Sequence, residues 1–248
     1  VSTVIPYFNS FINTFKSVDE LASIDEDSLL KLWEGLGYYS RARNVQKAAI
    51  QIKENHNSVI PSNQQDLEAL SGIGNYTSGA ILSIAFNQHY TAVDGNVLRV
   101  FARLLNIHDD IKNKDIKANI KNEVESLLPK ERVGDFNQAL MEIGATVCMP
   151  SGKPYCAICP LNDQCLAFKN NTQNTIPIKR KKKQTPTKDL TVLLVKYRDD
   201  YVLEKRPNTG LLANMYQFPN IEGHLHIEEV KELYKDNVKS IKALPKSK

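Results

Sequence analysis

The stretch LSGIGNYTSGAI, residues Leu70–Ile81, contributes most to the interpretation of this sequence. In it, Gly72 and Gly74 stand on either side of one apolar residue, just before a predicted helix. Glycine permits a tight turn and lets backbone N–H groups approach a ligand oxygen without a Cβ in the way. At a helix N-terminus such groups favour an anion, for example a DNA phosphate. A pair of glycines is also typical of a simple turn, so both interpretations stay open.

An aspartate follows this turn in the segment AVDGNVLRV, where Asp94 directly precedes another predicted helix. Aspartate before a helix often accepts hydrogen bonds from the first-turn N–H groups, and this capping could be its whole role. The functional alternative puts the carboxylate at the mouth of a cleft, close to the glycine turn. There it would stabilise a cation that forms on a sugar next to a bound phosphate.

All the cysteines of the chain lie in one segment, CMPSGKPYCAICPLNDQC, as Cys148, Cys156, Cys159 and Cys165. Four thiolates without a nearby histidine suit a [4Fe–4S] cluster or a tetrahedral structural zinc, and the spacing does not choose between them. Either metal would be structural, because the protein fills all four ligand positions and leaves none open for a substrate.

Helical periodicity dominates the chain from residue 1 to about residue 168. In RARNVQKAAIQIKENH the apolar residues recur at the spacing of one buried helix face, as Val45, Ala48, Ala49 and Ile52. A polar linker is predicted at 169–189, and its basic run Lys179–Lys183 suits either a solvated tether or a contact with the DNA backbone. Segment 190–248 begins with LTVLLVKY and YVLEKR, which predict a hairpin, and continues to a short helix.

The bulk properties of the 248 residues place few limits on function. The net charge of +4 permits a polyanionic partner but does not require one. No stretch approaches the roughly 18 apolar residues of a membrane span, and no signal peptide is evident, so we expect a cytoplasmic protein without a membrane partner. Because the chain opens without Met and stops soon after a new element begins, we expect a fragment truncated at both ends.

Four features in one order carry a family resemblance: LWEGLGYYSRARN, LSGIGNYTSGAI, VDGNVLRV and the four-cysteine segment. Together they resemble the adenine-DNA glycosylase branch of the endonuclease III superfamily. GLLANMYQFPN resembles the Nudix-like domain that this branch adds. The resemblance implies a mainly α, helix-hairpin-helix DNA glycosylase fold with an iron–sulfur loop, followed by a partial α/β Nudix-like domain. It also implies a bacterial, nucleoid-associated monomer.

The resemblance further implies base excision repair of double-stranded DNA, with hydrolysis of adenine paired with 8-oxoguanine or guanine. Asp94 would stabilise the oxocarbenium-like sugar, as a carboxylate does in glycosidases, and Asn96 would help to position groups around it. Tyr76 occupies the place where bifunctional relatives carry a catalytic lysine. Without an amine there, no Schiff base with the sugar can form, and we expect a monofunctional glycosylase.

The same resemblance assigns DNA contacts and a cofactor. Leu36 and Tyr38 correspond to a wedge inserted beside 8-oxoguanine while adenine is flipped out, and Arg41, Gly72 and Gly74 contact DNA. From the residues alone, Leu36 would be a core residue and Tyr38 an aromatic at a helix end. The four cysteines become ligands of a [4Fe–4S] cluster.

Several departures from the family pattern limit these expectations. No residue here matches the glutamate that acts as general acid, a loss of about 10²–10⁴-fold in rate. The Nudix-like segment stops before the loop that reads 8-oxoguanine, and HIEEVKELYKD lacks the Nudix catalytic pattern, so we expect no nucleotide hydrolysis. Between Cys148 and Cys156 the chain has one residue more than the family usually has. Two alternative functions stay open: a bifunctional glycosylase/lyase, and a non-catalytic DNA-binding fragment.

Overall fold

The computed structural model describes residues 3–178, 186–236 and 238–244. The chain forms two units, Val1–Lys181 and Lys182–Lys248, which divide within the predicted linker 169–189. The basic run Lys179–Lys183 lies outside the described residues.

The first unit is helical, as the sequence predicts. Its helices are α1 Val4–Thr14, α2 Val18–Ser23, α3 Glu26–Leu32, α4 Ser40–Asn55, α5 Gln64–Ala69, α6 Asn75–Ile84, α7 Gly95–Leu104, α8 Lys114–Ser126, α9 Val133–Glu142 and α10 Leu166–Lys169. A π-helical turn, Ile143–Val147, continues α9, and a 3₁₀ turn spans Cys156–Ile158. Polar side chains at N-cap positions fix the starts of several helices: Ser17, Asp25, Asn63, Asp94 and Asn113.

Within the described parts of the chain, no helix combines the length and apolar character needed to cross a bilayer.

Two apolar clusters hold the helices that surround the glycine turn. The first joins α7, α8 and α9 through Val97, Val100, Phe101, Ile120, Val124 and Leu140. The second joins α4, α5 and α6 through Ala48, Ile52, Leu67, Leu70 and Leu82. The stripe predicted on α4 is confirmed at Ala48, Ala49 and Ile52 but is wrong at Val45, which is 37% exposed at the edge of the stripe.

A fully buried amide, Asn137 on α9, connects α6 with the segment that leads to α7. Its Oδ1 accepts the N–H of Ala92 at 3.1 Å, and its Nδ2 donates to the carbonyl of Tyr90 at 2.9 Å. The same Nδ2 donates to the hydroxyl of Ser83 on α6, also at 2.9 Å. One side chain therefore satisfies the backbone of the segment that leads to α7 and connects it to α6 and α9.

The end of the first unit includes residues that the sequence assigns to the linker. Ile176 is 1% exposed and packs with Ala102 and Ala167. The hydroxyl of Thr172 lies 2.5 Å from Oδ1 of Asn106. The polar composition of this segment conceals its packing, which combines the buried side chain of Ile176 with the hydrogen bond of Thr172.

The second unit contains short antiparallel strand pairs and one helix. They are β1 Leu190–Val192 with β6 Asn220–Glu222, β2 Lys196–Tyr197 with β3 Asp200–Tyr201, β4 Glu204–Lys205 with β5 Tyr216–Gln217, and α11 Ile227–Tyr234. The predicted hairpin is present only as β2 and β3, which turn at Arg198 with φ +56°. It is shorter than the sequence suggests because β1 pairs with β6 instead.

Replacing Asn137 with alanine should lower the free energy of unfolding of the first unit by about 2–4 kcal/mol, because buried backbone groups lose their partners. Urea denaturation followed by circular dichroism measures this loss. The matched control is Asn122→Ala, an exposed position on α8, which should change the free energy by less than about 0.5 kcal/mol. Equal effects of the two variants would contradict the role given to Asn137.

Candidate active site and nucleic-acid interface

The glycine turn forms a tight hairpin between α5 and α6. Gly72 has φ +80°, and a Cβ placed there would come within 2.7 Å of Cβ of Asn44 on α4. Residue 72 therefore has to be glycine for both its backbone conformation and its close contact. Gln51, also on α4, accepts the N–H of Ser71 at 2.8 Å. The hairpin is thus fixed against the helix that precedes it.

A carboxylate holds the two helices of the hairpin together. Oε1 of Glu68 on α5 accepts the hydroxyl of the buried Ser78 on α6 at 2.8 Å. The hydrogen bond from Gln64 lowers the pKa of Glu68 most, and that from Ser78 is the second cause. The carboxylate is therefore ionised at neutral pH. Gly74 is the N-cap of α6, and space for a Cβ there is open. A ligand oxygen could approach the start of α6 from that side, but the predicted anion site stays a prediction.

Asp94 is the N-cap of α7, and its carboxylate makes hydrogen bonds through both oxygens. Oδ1 accepts the N–H groups of Asn96 and Val97, each at 2.8 Å. Oδ2 accepts the side-chain amide of Asn96, also at 2.8 Å. The side chain is half-buried. The capping and functional interpretations of Asp94 are therefore compatible, because the cap fixes the orientation of a carboxylate that is still partly accessible.

Close backbone contact brings the segment before Asp94 against the hairpin. A Cβ on Gly79 of α6 would lie only 1.9 Å from the carbonyl oxygen of Thr91. Any larger residue at 79 would separate α6 from this segment.

Tyr76, on the first turn of α6, interacts electrostatically with Asp94. Burial is the larger of two causes that raise the pKa of Tyr76, and the negative charge of Asp94 is the second. The phenol is still 43% exposed, and its hydroxyl lies 3.6 Å from the sulfur of Met141. The structure thus brings together Asp94, Asn96 and Tyr76, the residues predicted to be catalytic, around the N-terminus of α7.

Arg99 connects this group of residues to the cysteine segment. Its side chain is 7% exposed on α7, and its Nη2 donates to Oδ1 of Asn96 at 2.8 Å and to the carbonyl of Gly144 at 2.6 Å. Its Nε donates to the carbonyl of Cys148 at 2.8 Å. Burial lowers the pKa of Arg99 most, whereas the charges of Cys148 and, to a smaller extent, Asp94 raise it. A continuous set of hydrogen bonds therefore runs from Asp94 through Asn96 and Arg99 to Cys148.

A second buried arginine, Arg103, lies one turn further along α7. Its Nη1 donates to Sγ of Cys148 at 3.1 Å and to the carbonyl of Met149 at 3.0 Å. Its Nε donates to the carbonyl of Ile176 at 2.8 Å. Sγ of Cys165 lies 3.5 Å from the carbonyl oxygen of Arg103. Both ends of the cysteine segment are thus held against α7.

The four cysteines are free, half-buried thiols. Burial is the largest cause that raises the pKa of Cys156, followed by the charges of Cys165, Cys148 and Cys159. The sulfurs are therefore close enough to influence each other. Across residues 3–178, 186–236 and 238–244, however, no three His, Cys, Asp or Glu side chains are arranged to hold a metal ion. The donor set suits a metal centre, and the ligand assignment stays a prediction.

The predicted wedge lies in the loop between α3 and α4. Tyr38 is 74% exposed, and the guanidinium carbon of Arg41 lies 4.8 Å from the centroid of its ring. Leu36 is half-buried, so it is neither a full core residue nor a freely exposed one. The contacts known for the described residues do not join this loop to Asp94. Its connection to the hairpin runs through α4, which contacts Gly72 by way of Asn44.

Sequence reasoning missed Arg99 and Arg103. Both stand in VLRVFARL, where two basic residues four positions apart interrupt an apolar helix. Residues four apart share one helix face, so a basic face within a buried helix was the available signal. Asn137 and Gly79 gave no comparable signal, because their roles depend on contacts with distant segments.

Comparison with known proteins yields a family match and similar relatives. The model of the HhH-GPD superfamily of base excision DNA repair proteins matches residues 1–126. The adenine DNA glycosylase of Buchnera aphidicola subsp. Baizongia pistaciae is 41% identical over 220 residues, which cover 88% of this chain and 62% of the relative. The adenine DNA glycosylase of Mus musculus is 31% identical over 282 residues, covering 94% of this chain and 55% of the relative. The chain thus spans about three fifths of the length of these curated relatives.

Solved structures show the same fold. A thermostable thymine-DNA glycosylase aligns with a TM-score of 0.61 and 24% identity, covering 67% of this chain and 76% of that one. A non-covalent endonuclease III–DNA complex aligns with a TM-score of 0.60 and 23% identity, covering 70% and 79%. These alignments confirm the mainly helical, endonuclease III-like fold that the sequence predicts.

Replacing Arg99 with lysine should lower the free energy of unfolding by about 2–3 kcal/mol, because an ammonium group cannot reach the acceptors that the planar guanidinium bonds simultaneously. Thermal unfolding followed by circular dichroism should therefore show a lower Tm. Arg132→Lys is the control, since the side chain of Arg132 is 82% exposed in a surface ion pair with Asp135. An unchanged Tm for Arg99→Lys would refute the bridging role.

Proposed function

Because this chain belongs to the HhH-GPD superfamily of base excision DNA repair proteins and, within it, to the adenine DNA glycosylases, we propose that the complete protein excises adenine from DNA. The proposed substrate is double-stranded DNA in which adenine is paired with 8-oxoguanine or guanine. The proposed reaction is hydrolysis of the N-glycosidic bond without cleavage of the strand. The protein would act as a cytoplasmic monomer.

The single observation that carries this proposal is the fixed carboxylate of Asp94. As the glycosidic bond lengthens, positive charge develops on the sugar, and a carboxylate oriented in advance stabilises that charge without reorganising. Hydrogen bonds from Asn96 and Val97 hold both oxygens of Asp94 in place. As the N-cap of α7, Asp94 stands at the positive end of the helix dipole. No described residue is assigned as the proton donor for the departing adenine.

Tyr76 supports hydrolysis over the lyase alternative. A bifunctional enzyme needs an amine that attacks the sugar and forms a Schiff base, and a phenol cannot do so. Since burial and the charge of Asp94 raise its pKa, Tyr76 keeps its proton at neutral pH. A neutral hydroxyl beside Asp94 can donate a hydrogen bond to a sugar or phosphate oxygen without adding charge to the site.

The DNA-binding proposal rests on two exposed features of the first unit. The hairpin at Gly72 and Gly74 presents the N-terminus of α6, where backbone N–H groups suit a phosphate. The exposed ring of Tyr38 suits stacking on a base, while half-buried Leu36 lies on the same loop. Arg41 adds a cation beside Tyr38 for the phosphate backbone.

We further propose that the four cysteines hold a [4Fe–4S] cluster. Four half-buried cysteines in one segment, with Arg103 donating to Sγ of Cys148, fit a set of thiolate ligands. Such a cluster supplies a structural cross-link and no open coordination position. It would hold the cysteine segment, and with it the Cys148 carbonyl that Arg99 bonds, against α7. The second unit is proposed to be Nudix-like and to serve lesion recognition.

Replacing Asp94 with asparagine should slow adenine release by about 10²–10³-fold, because the neutral amide no longer stabilises the developing cation. A single-turnover assay of the complete protein on duplex containing adenine opposite 8-oxoguanine measures this rate. Asp25→Asn is the matched control, since Asp25 caps α3 in the same way, through the N–H of Ser28.

Two results would contradict the proposal, one from this assay and one from a separate trapping experiment. One is the absence of adenine release by the unsubstituted complete protein. The other is borohydride trapping of a covalent protein–DNA adduct, which would instead support the bifunctional glycosylase/lyase.

Replacing Cys159 with serine should remove most of the bound iron, because a cluster ligand would be lost. Metal and acid-labile sulfide analysis of the unsubstituted chain, purified without oxygen, should give about four iron and four sulfide per molecule. Ser151→Ala, an exposed position in the same segment, should leave the iron content unchanged. Zinc without sulfide in the unsubstituted chain would contradict the cluster and support the structural zinc.

A further inference from the structure

We propose that Arg41 is a positioning residue for Tyr38: in the free protein its guanidinium holds the exposed ring in the orientation that stacks on a nucleobase. This inference rests on the proposed function, since it takes DNA as the ligand. It assigns to Arg41 a task beyond a contact with the phosphate backbone.

The loop that carries Tyr38 is built to project an aromatic side chain. Gly37 and Tyr38 have φ values of +69° and +48°, so two successive residues adopt the left-handed region. For tyrosine this backbone conformation is unfavourable, and surrounding bonds must maintain it. The indole Nε1 of Trp33 donates to the carbonyl of Gly37 at 3.0 Å, and the N–H of Arg41 donates to the carbonyl of Tyr38 at 2.8 Å.

The backbone fixes where the ring starts but not how it is oriented. With 74% of Tyr38 exposed, little apolar packing restricts its χ angles. The guanidinium carbon of Arg41 lies 4.8 Å from the ring centroid, which is within the range of a cation–π contact. A planar guanidinium stacks on an aromatic face and so restricts the tilt of the ring, which a flexible ammonium does less well.

The position of Arg41 in its helix supports this assignment. Arg41 lies in the first turn of α4, which has no acidic residue there. The macrodipole disfavours a cation at a helix N-terminus, so helix stability does not explain an arginine at this position. Arg43, two residues on, differs clearly: it is half-buried, and its Nε donates to Glu26 of α3 at 2.6 Å. Arg43 holds α4 to α3, whereas Arg41 contacts the exposed ring.

This arrangement would lower the entropic cost of stacking. A ring that is already oriented loses less rotational freedom when a base stacks on its open face. The N–H groups of a stacked guanidinium lie in its own plane, so they could still donate to a phosphate. Removing Arg41 should therefore weaken DNA binding mainly when Tyr38 is present.

The first experiment measures the contact without DNA, by NMR of the chain. A stacked guanidinium places the δ-protons of Arg41 over the ring of Tyr38, so their resonance should be shifted upfield. Tyr38→Leu should return that resonance to its ordinary position, whereas Lys47→Met, an exposed position on the same helix, should not. An Arg41 resonance that is the same with and without Tyr38 would overturn the proposal.

The second experiment is a double-mutant cycle on DNA affinity, measured by fluorescence anisotropy with a duplex containing adenine opposite 8-oxoguanine. Arg41→Met should weaken binding by about 3- to 10-fold when Tyr38 is present, and by less than about 2-fold in the Tyr38→Leu background. Arg41→Lys should restore part of the affinity. Lys47→Met is the control, and its effect should be the same in both backgrounds.

The outcomes separate this proposal from the proposed function. Equal losses for Arg41→Met in the two backgrounds would show a phosphate contact that is independent of Tyr38, and would overturn the positioning role. If the unsubstituted chain bound no duplex at all, the DNA-binding part of the proposed function would fail. The NMR experiment would then still decide whether Arg41 orders the ring.

Discussion

The hydrogen bonds of the buried guanidinium of Arg99 are the constraint on which the candidate site depends. A buried charge is strongly destabilising unless its donors are satisfied, so Arg99 requires the carbonyls of Gly144 and Cys148 to stay in place. The same side chain holds Asn96, which in turn donates to Asp94. The packing of α7 against the segment that follows α9 therefore also sets the orientation of the proposed catalytic carboxylate.

Close backbone approach is the second constraint. At Gly79 the added Cβ would meet the carbonyl oxygen of Thr91, and at Gly144 it would lie 2.6 Å from Cβ of Asn96. Both contacts press backbone against the segments around Asp94. Asn137 satisfies the polar groups of the segment that leads to it. The site is thus placed by residues that would never touch a substrate.

Much of the first unit could be predicted from the sequence, because the signals there are local. Glycine spacing predicts the turn before α6, and Asp94 before an apolar helix predicts a cap; both depend on neighbouring residues only. The connection through Arg99 could not be predicted, because two of its acceptors, the carbonyls of Gly144 and Cys148, lie on a segment distant in sequence. Val45 shows the same limit, since helical spacing cannot tell which positions at the edge of a stripe find a neighbour. In the second unit, β1 pairs with distant β6, and the local hairpin pattern overestimates the strand lengths.

In this structure α7 transmits the position of the cysteine segment to Asp94 through Arg99. The backbone amides of Asn96 and Val97 donate hydrogen bonds to Asp94, so their hydrogen–deuterium exchange tests this connection. In Arg99→Lys these two amides should exchange at least about tenfold faster, because a loss of order 1.4 kcal/mol in local stability changes the opening equilibrium tenfold. In Arg132→Lys they should exchange as in the unsubstituted chain. Unchanged protection of both amides in Arg99→Lys would contradict the account.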